Sequence, residues 1–188
     1  MNPRVTTGRR FRPFARFAGD RSGVSAVEFA LLLPVMVALY LGSVEVSTGI
    51  SIQRKVTLTA GAVANLTAQA TNLVTADVTN IMNASTAILA PYTTATATIT
   101  VSCLVIDASG KTKVAWSANQ GSAPRAVGSA VTIPAALAVP STQIIFSEVS
   151  FPYTPIVGYT ITGTLTLSDK MYMSPRITAP TYNNVACS

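Results

Sequence analysis

Histidine is absent from this sequence, and acidic residues are scarce, with seven among 188 residues. Without histidine the commonest side-chain base at neutral pH is missing. No glycine-rich phosphate loop is present either. Beyond residue 46 the only acids are Asp77, Asp107, Glu148 and Asp169, and none is paired with another at short spacing. Asp107 falls among turn residues, and Asp169 with Lys170 reads as a strand end. These absences remove the usual acid–base and nucleophilic constellations, so the chain is not expected to be an enzyme. Cysteine is also rare. Cys103 and Cys187 are the two present, and neither has a CxxC neighbour, so metal and thioredoxin-like readings lack support and no cofactor is expected.

What is present is unevenly spread. Arg4, Arg9, Arg10, Arg12, Arg16 and Arg21 precede Gly23 with Asp20 as the single acid, leaving seven basic and six acidic residues for the rest. The alkaline character therefore belongs to a short leader, residues 1–23. A basic arm can bind nucleic acid, but this one abuts an apolar run. That arrangement points to membrane topology, with the basic flank cytoplasmic, and to membrane lipid rather than nucleic acid as partner.

The apolar run begins at Val24. Val24–Leu41 carries one charge, Glu28. Extended to Val46, the run is long enough at about 1.5 Å per residue to cross a hydrocarbon core of about 30 Å. Residues 24–46 are thus predicted to form a transmembrane helix, with Pro34 as a tolerated kink. A Sec signal peptide is the main rival, but no small-x-small cleavage site follows the run closely. Arg9-Arg10 is too far from the run to make a good twin-arginine signal.

Residues 47–188 are expected to be an exported α+β domain. The helix is able to continue through Gln53-Arg54-Lys55, because Val56, Val63, Leu66, Ala70 and Val74 recur at helical spacing. A second helix is predicted from Thr75 as N-cap, with Val78, Ile81, Met82 and Leu89 on one side and Pro91 closing it. From residue 94 the period becomes two. Ala95, Ala97, Ile99, Val101, Cys103 and Val105 alternate with small polar residues, and the Asp107–Gly110 turn leads to a return through Val114 and Trp116. Residues 117–140 read as loop. Strands are predicted at 143–153 and 159–173, giving a small, mainly antiparallel sheet. If this part is exported, two cysteines in an oxidising compartment suit a Cys103–Cys187 disulfide. The alternative is one buried and one exposed thiol.

The most informative segment is Gly23-Val24-Ser25-Ala26-Val27-Glu28-Phe29. A basic leader ends at a small, flexible residue, and a glutamate and an aromatic follow at the start of the apolar run. A carboxylate within a membrane helix costs about 2.5–3.5 kcal/mol at the bilayer centre and less near its edge, so it calls for a partner. Cleavage after Gly23 would create one, the new α-amino group of Val24. The alternative is a surface glutamate just ahead of an anchor starting at Phe29.

This pattern resembles the class III signal of type IV pilins, and residues 21–50 resemble the N-terminal signature of TadE-like proteins, including Pro34 and Glu45. The segment SEVSFPYTP (147–155) is similar to the family's Tyr-Pro-rich stretch, and YMSPR (172–176) to its closing motif. The resemblance implies a pilin-like fold and a structural role in Tad (Flp-type) pilus biogenesis, as a minor pilin or pseudopilin of the inner membrane. It implies processing at Gly23 and Val24 by a prepilin peptidase, a subunit contact at Glu28 and Phe29, and other Tad pilus components as partners in a hetero-oligomer. The N-terminus would be cytoplasmic and the C-terminal domain periplasmic. A permanently anchored periplasmic adaptor that never enters a filament is the other reading.

Overall fold

The computed structural model describes residues 22–155 and 163–188. The α+β expectation holds: a long apolar helix is followed by a short helix and a small antiparallel sheet. Of the leader predicted at 1–23, residues 1–21 lie outside the described residues, as do residues 159–162 of the strand predicted at 159–173, and Ser22 and Gly23 already belong to the first helix.

Helix α1, Ser22–Gln69, is a single 48-residue element. It runs unbroken past Pro34 and through Gln53-Arg54-Lys55. The chain divides into two compact units, residues 1–44 and 45–188, so α1 contributes to both.

In the second unit, α1 leads through a two-residue strand β1 (Asn72–Leu73) to α2 (Thr75–Thr86) and a 3-10 turn at Ala87–Leu89. The N-cap of α2 is Val74 and not Thr75 as predicted. The Asp77 carboxylate accepts the Val74 backbone N–H at 3.0 Å, which satisfies a donor at the helix start from the third helical position. The strands are β2 (Thr98–Ile106), β3 (Thr112–Gln120), β4 (Thr142–Tyr153), β5 (Leu165–Met173) and the short β6 (Thr181–Tyr182). The main sheet has the order β3-β2-β4-β5, antiparallel throughout, and β1 pairs with β6 in parallel.

The β2–β3 turn forms as its residues dictate. The Asp107 carboxylate accepts from the Ser109 N–H, the Ser109 hydroxyl and the Lys111 N–H, an Asx-type turn closed by Gly110 at φ +78°. At the far end of β3, Gly121 has φ +79°, and a Cβ there would lie 2.6 Å from the Ala97 carbonyl oxygen. Only glycine fits that position.

The core lies between one face of the sheet and the two helices. Ile99, Val101 and Cys103 of β2, Trp116 of β3, and Ile145, Val149 and Phe151 of β4 bury their side chains with Ile52, Val56, Ala60, Val63 and Ala68 of α1. Val78, Met82 and Leu89 complete it. The helical periodicity located Val56 and Val63 correctly. Leu66 instead proves exposed, because the buried stripe of α1 is largely made of small residues, including Thr59, Ala60, Ala64, Thr67 and Ala68, and Val74, beyond the end of α1 at the N-cap of α2, is exposed too. Small side chains let a helix approach a sheet closely.

The opposite face of the sheet is not simply open. Leu104, Val114 and Phe146 form a second buried cluster, joined by Val131, Ile133 and Tyr172. Of residues 117–140, expected to be loop, 117–120 instead extend β3, and the chain after them returns along the β3 edge. Val114 N–H donates to the Ser129 carbonyl, Gly128 N–H to Val114 and Val131 N–H to Thr112. The segment thereby occupies edge hydrogen-bonding groups that would otherwise invite another chain. Asp169 and Lys170, predicted at a strand end, sit inside β5 opposite Val149 and Glu148.

Candidate functional site

Three parts of the molecule carry features beyond packing: the exposed start of α1, the bridged C-terminal segment, and a charged cluster on the outer sheet face.

In the first, Val24 and Glu28 lie one helical turn apart on α1 and therefore on the same side. Gly23 has no atom within 4 Å of where a Cβ would stand. Val24 and Phe29 are 58% and 59% exposed, and Glu28 is exposed too. Every described side chain from residue 23 to 40 is exposed, including Leu31, Leu39 and Tyr40 at 72%, 70% and 67%. The most apolar 18-residue window of the helix has a mean hydropathy of 2.2 and none of it is buried. A helix apolar around its whole circumference and uncovered by its own chain belongs in lipid or among other helices. By length and composition it is a single-pass membrane anchor.

In the second part, Cys103 in the middle of β2 is disulfide-bonded to Cys187, 84 positions later in the sequence, with Cα atoms 6.0 Å apart. Both are buried. Near the bridge the Trp116 indole N–H donates to the Pro180 carbonyl at 2.9 Å, and the Tyr182 ring packs on Trp116 with centroids 5.4 Å apart. Arg176 of the YMSPR segment ties the same stretch to the end of α1. Its backbone N–H donates to the Ala68 carbonyl, and its guanidinium donates to Asn65 Oδ1, each at 2.9 Å. The first bond supplies a donor to one of the carbonyls that a helix C-terminus leaves open. The tail segment, its cysteine and its arginine thus act together on α1 and on the sheet.

The third part was not legible from the sequence. Arg125 holds Glu148 with two parallel bonds, Nε to Oε2 at 2.6 Å and a terminal nitrogen to Oε1 at 2.8 Å. Lys170 Nζ stands 3.6 Å from the same carboxylate. The Arg125 guanidinium also lies over the Phe146 ring, 5.5 Å from its centroid, and Phe146 stacks on Tyr172 at 4.9 Å. The hydrogen-bonded carboxylate raises the Arg125 pKa above its ordinary value, and burial followed by the Glu148 charge raises that of Tyr172. The strand alternation of β4 could have shown Glu148 and Phe146 sharing a face. Nothing local points to Arg125, which reaches them from a loop.

Glu45, the second acid of the N-terminal signature, is half-buried. Its charge reaches Tyr153, whose pKa is raised first by burial and then by Glu45. Farther along α1, Lys55 donates to the carbonyls of Ile88 and Ala90, at 3.1 and 2.5 Å. Lys55 therefore ties α1 to the chain following α2. Among the described residues no three or more Asp, Glu, His or Cys side chains gather as metal ligands would.

Residues 23–65 match the model of a family described as TadE-like protein. The likeness noted in 147–155 and 172–176 lies outside that match. No curated protein matches the chain, and no solved structure does.

Proposed function

Taking as premise a TadE-like helix that begins at Gly23 and leads into a separate α+β unit, we propose that the chain is a structural component of Tad (Flp-type) pilus biogenesis. In this reading it is a minor pilin or pseudopilin of the inner membrane. The first part of α1 crosses the bilayer with the leader in the cytoplasm, and residues from 47 onward stand in the periplasm. The observation that carries the reading is the fully exposed, apolar start of α1 with a single carboxylate, Glu28, one turn from Val24. The Cys103–Cys187 bridge supports an oxidising compartment for the domain.

A prepilin peptidase would cut between Gly23 and Val24, freeing the Val24 α-amine. The amine of one subunit then neutralises Glu28 of a neighbour, which fixes the register of helices otherwise held by apolar packing. Phe29 packs beside that contact and Pro34 bends the helix below it. The N-terminal residue of the protein recovered from its native membrane tests this directly. A mature chain starting at Val24 supports the pilin-like role, whereas a retained leader supports the permanently anchored adaptor. Glu28→Ala is expected to leave membrane insertion intact while weakening co-purification of the pilus partners. Unchanged co-purification would remove the role given to Glu28.

A further inference from the structure

We propose that Tyr153 and its strand partner Leu165 seat the folded domain in the lipid headgroup layer where α1 leaves the membrane. The inference rests on the anchored reading above, with a span ending at Val46.

Tyr153 ends β4 and Leu165 begins β5, and the two face each other across the ladder. The Tyr153 ring lies against α1 at Gly49, where a Cβ would be 3.7 Å from Cε1. That spacing is an ordinary van der Waals contact, so the ring packs directly on the helix at this turn. Gly49 is three residues past Val46, about 4.5 Å along the helix. The headgroup layer on each side of a bilayer is about 5–7 Å deep. Helical continuity from Val46 to Gly49 therefore keeps this contact inside that layer, because tilting the helix only shortens its height above the hydrocarbon.

The side chains suit such a place. Tyrosine has an apolar ring and a polar tip, and it concentrates at membrane–water boundaries for that reason. Tyr153 is only half-buried by its own domain. Leu165 leaves 42% of its surface uncovered, an exposure that costs nothing against acyl chains and is unfavourable in water. Glu45 is the neighbouring charge, placed one residue before Val46. It lies at the depth where a carboxylate regains water and lipid ammonium groups. A second protein could also cover the pair, and the experiment separates that case.

The full-length protein carries one tryptophan, Trp116, which is 2% exposed in the core and serves as a constant background. Tyr153→Trp and Leu165→Trp are reconstituted separately into phosphatidylcholine vesicles with plain or brominated acyl chains, and insertion is scored by resistance to alkaline extraction. The expected result is that inserted protein loses a measurable part of the added emission in vesicles brominated near the headgroup end of the acyl chains, while the Trp116 emission of the parent chain is unchanged. Inserted protein whose added tryptophans emit equally in both lipids overturns the proposal. Quenching by aqueous iodide then means that the pair faces water, and protection from both quenchers means that protein covers it. Protein extracted by alkali overturns the anchored reading itself, a failure distinct from the former. Leu165 is the more exposed site, so its variant carries the test if Tyr153→Trp does not fold.

Discussion

The two halves of α1 solve opposite problems with the same backbone. From residue 23 to 40 the side chains are mostly apolar, with Glu28 the single charge, and all are exposed. From Ile52 to Ala68 the buried apolar groups are smaller and sit on one stripe, with Val56, Ala60, Val63, Ala64 and Ala68 wholly buried, while Leu58 and Leu66 stay exposed. In the first half hydrophobicity reports the medium around the helix, and in the second it reports a neighbour within the same chain. Helix propensity does not separate them, since both contain Leu, Ala and Val in one continuous element. What separates them is whether apolarity has a direction.

That contrast can be broken first at the bridge. Cys103→Ser with Cys187→Ser is expected to lower the unfolding free energy of the sheet unit by about 4.5 kcal/mol, from the entropy of an 84-residue loop. Membrane insertion of the first half should be unaffected. Urea titration of detergent-solubilised full-length protein, read by Trp116 fluorescence, measures the loss. An unchanged midpoint would mean that the tail is held by its other contacts alone.

A smaller effect sharpens the comparison within α1. Ala60→Leu should overpack the helix–sheet contact and cost about 1–3 kcal/mol, whereas Leu31→Ala, at a 72% exposed site, should leave the same urea midpoint where it was. Equal shifts would contradict the division of labour. Arg125→Ala comes next, at about 1 kcal/mol after allowing for solvent around a partly exposed pair. It should also speed proteolysis within residues 121–134, measured by limited digestion, because the guanidinium no longer pins that segment to Glu148.

The smallest expected effect is acidic. Hydrogen bonds from Ser109 and the Lys111 N–H lower the Asp107 pKa. Its contribution is therefore present above the unfolded value of about 3.9 and fades as pH falls through the lower folded value. Asp107→Asn should be less stable than the parent at pH 5, with the gap narrowing as the pH approaches 2. A gap that widens on acidification would show the sign to be wrong.

Sequence pattern revealed those features whose cause is local. The span is legible because lipid demands an uninterrupted apolar run, and β2 because one face of a sheet demands alternation. The Asp107–Gly110 turn is legible because its bonds join residues at most four apart. Distant causes were not visible. The buried stripe of α1 is largely alanine and threonine, residues whose burial depends on how closely the sheet approaches. Residues 121–141 look like loop because no period marks a segment that covers Leu104, Val114 and Phe146 from outside. Asp169 passes for a strand end until Thr57 of α1 is found donating to its carboxylate. Glu148 looks unpaired until Arg125, 23 residues earlier, folds back onto it.

The disulfide has a mechanical consequence as well as a thermodynamic one. A force applied along the chain runs through the covalent link between Cys103 and Cys187 and bypasses the 84-residue loop it closes. At roughly 3.4 Å per residue, that withholds about 280 Å of contour length that a reduced chain would release. The strands from β3 to β6 are thereby spared from being pulled out end to end, and an oxidised domain under tension can lengthen only through the chain outside the loop.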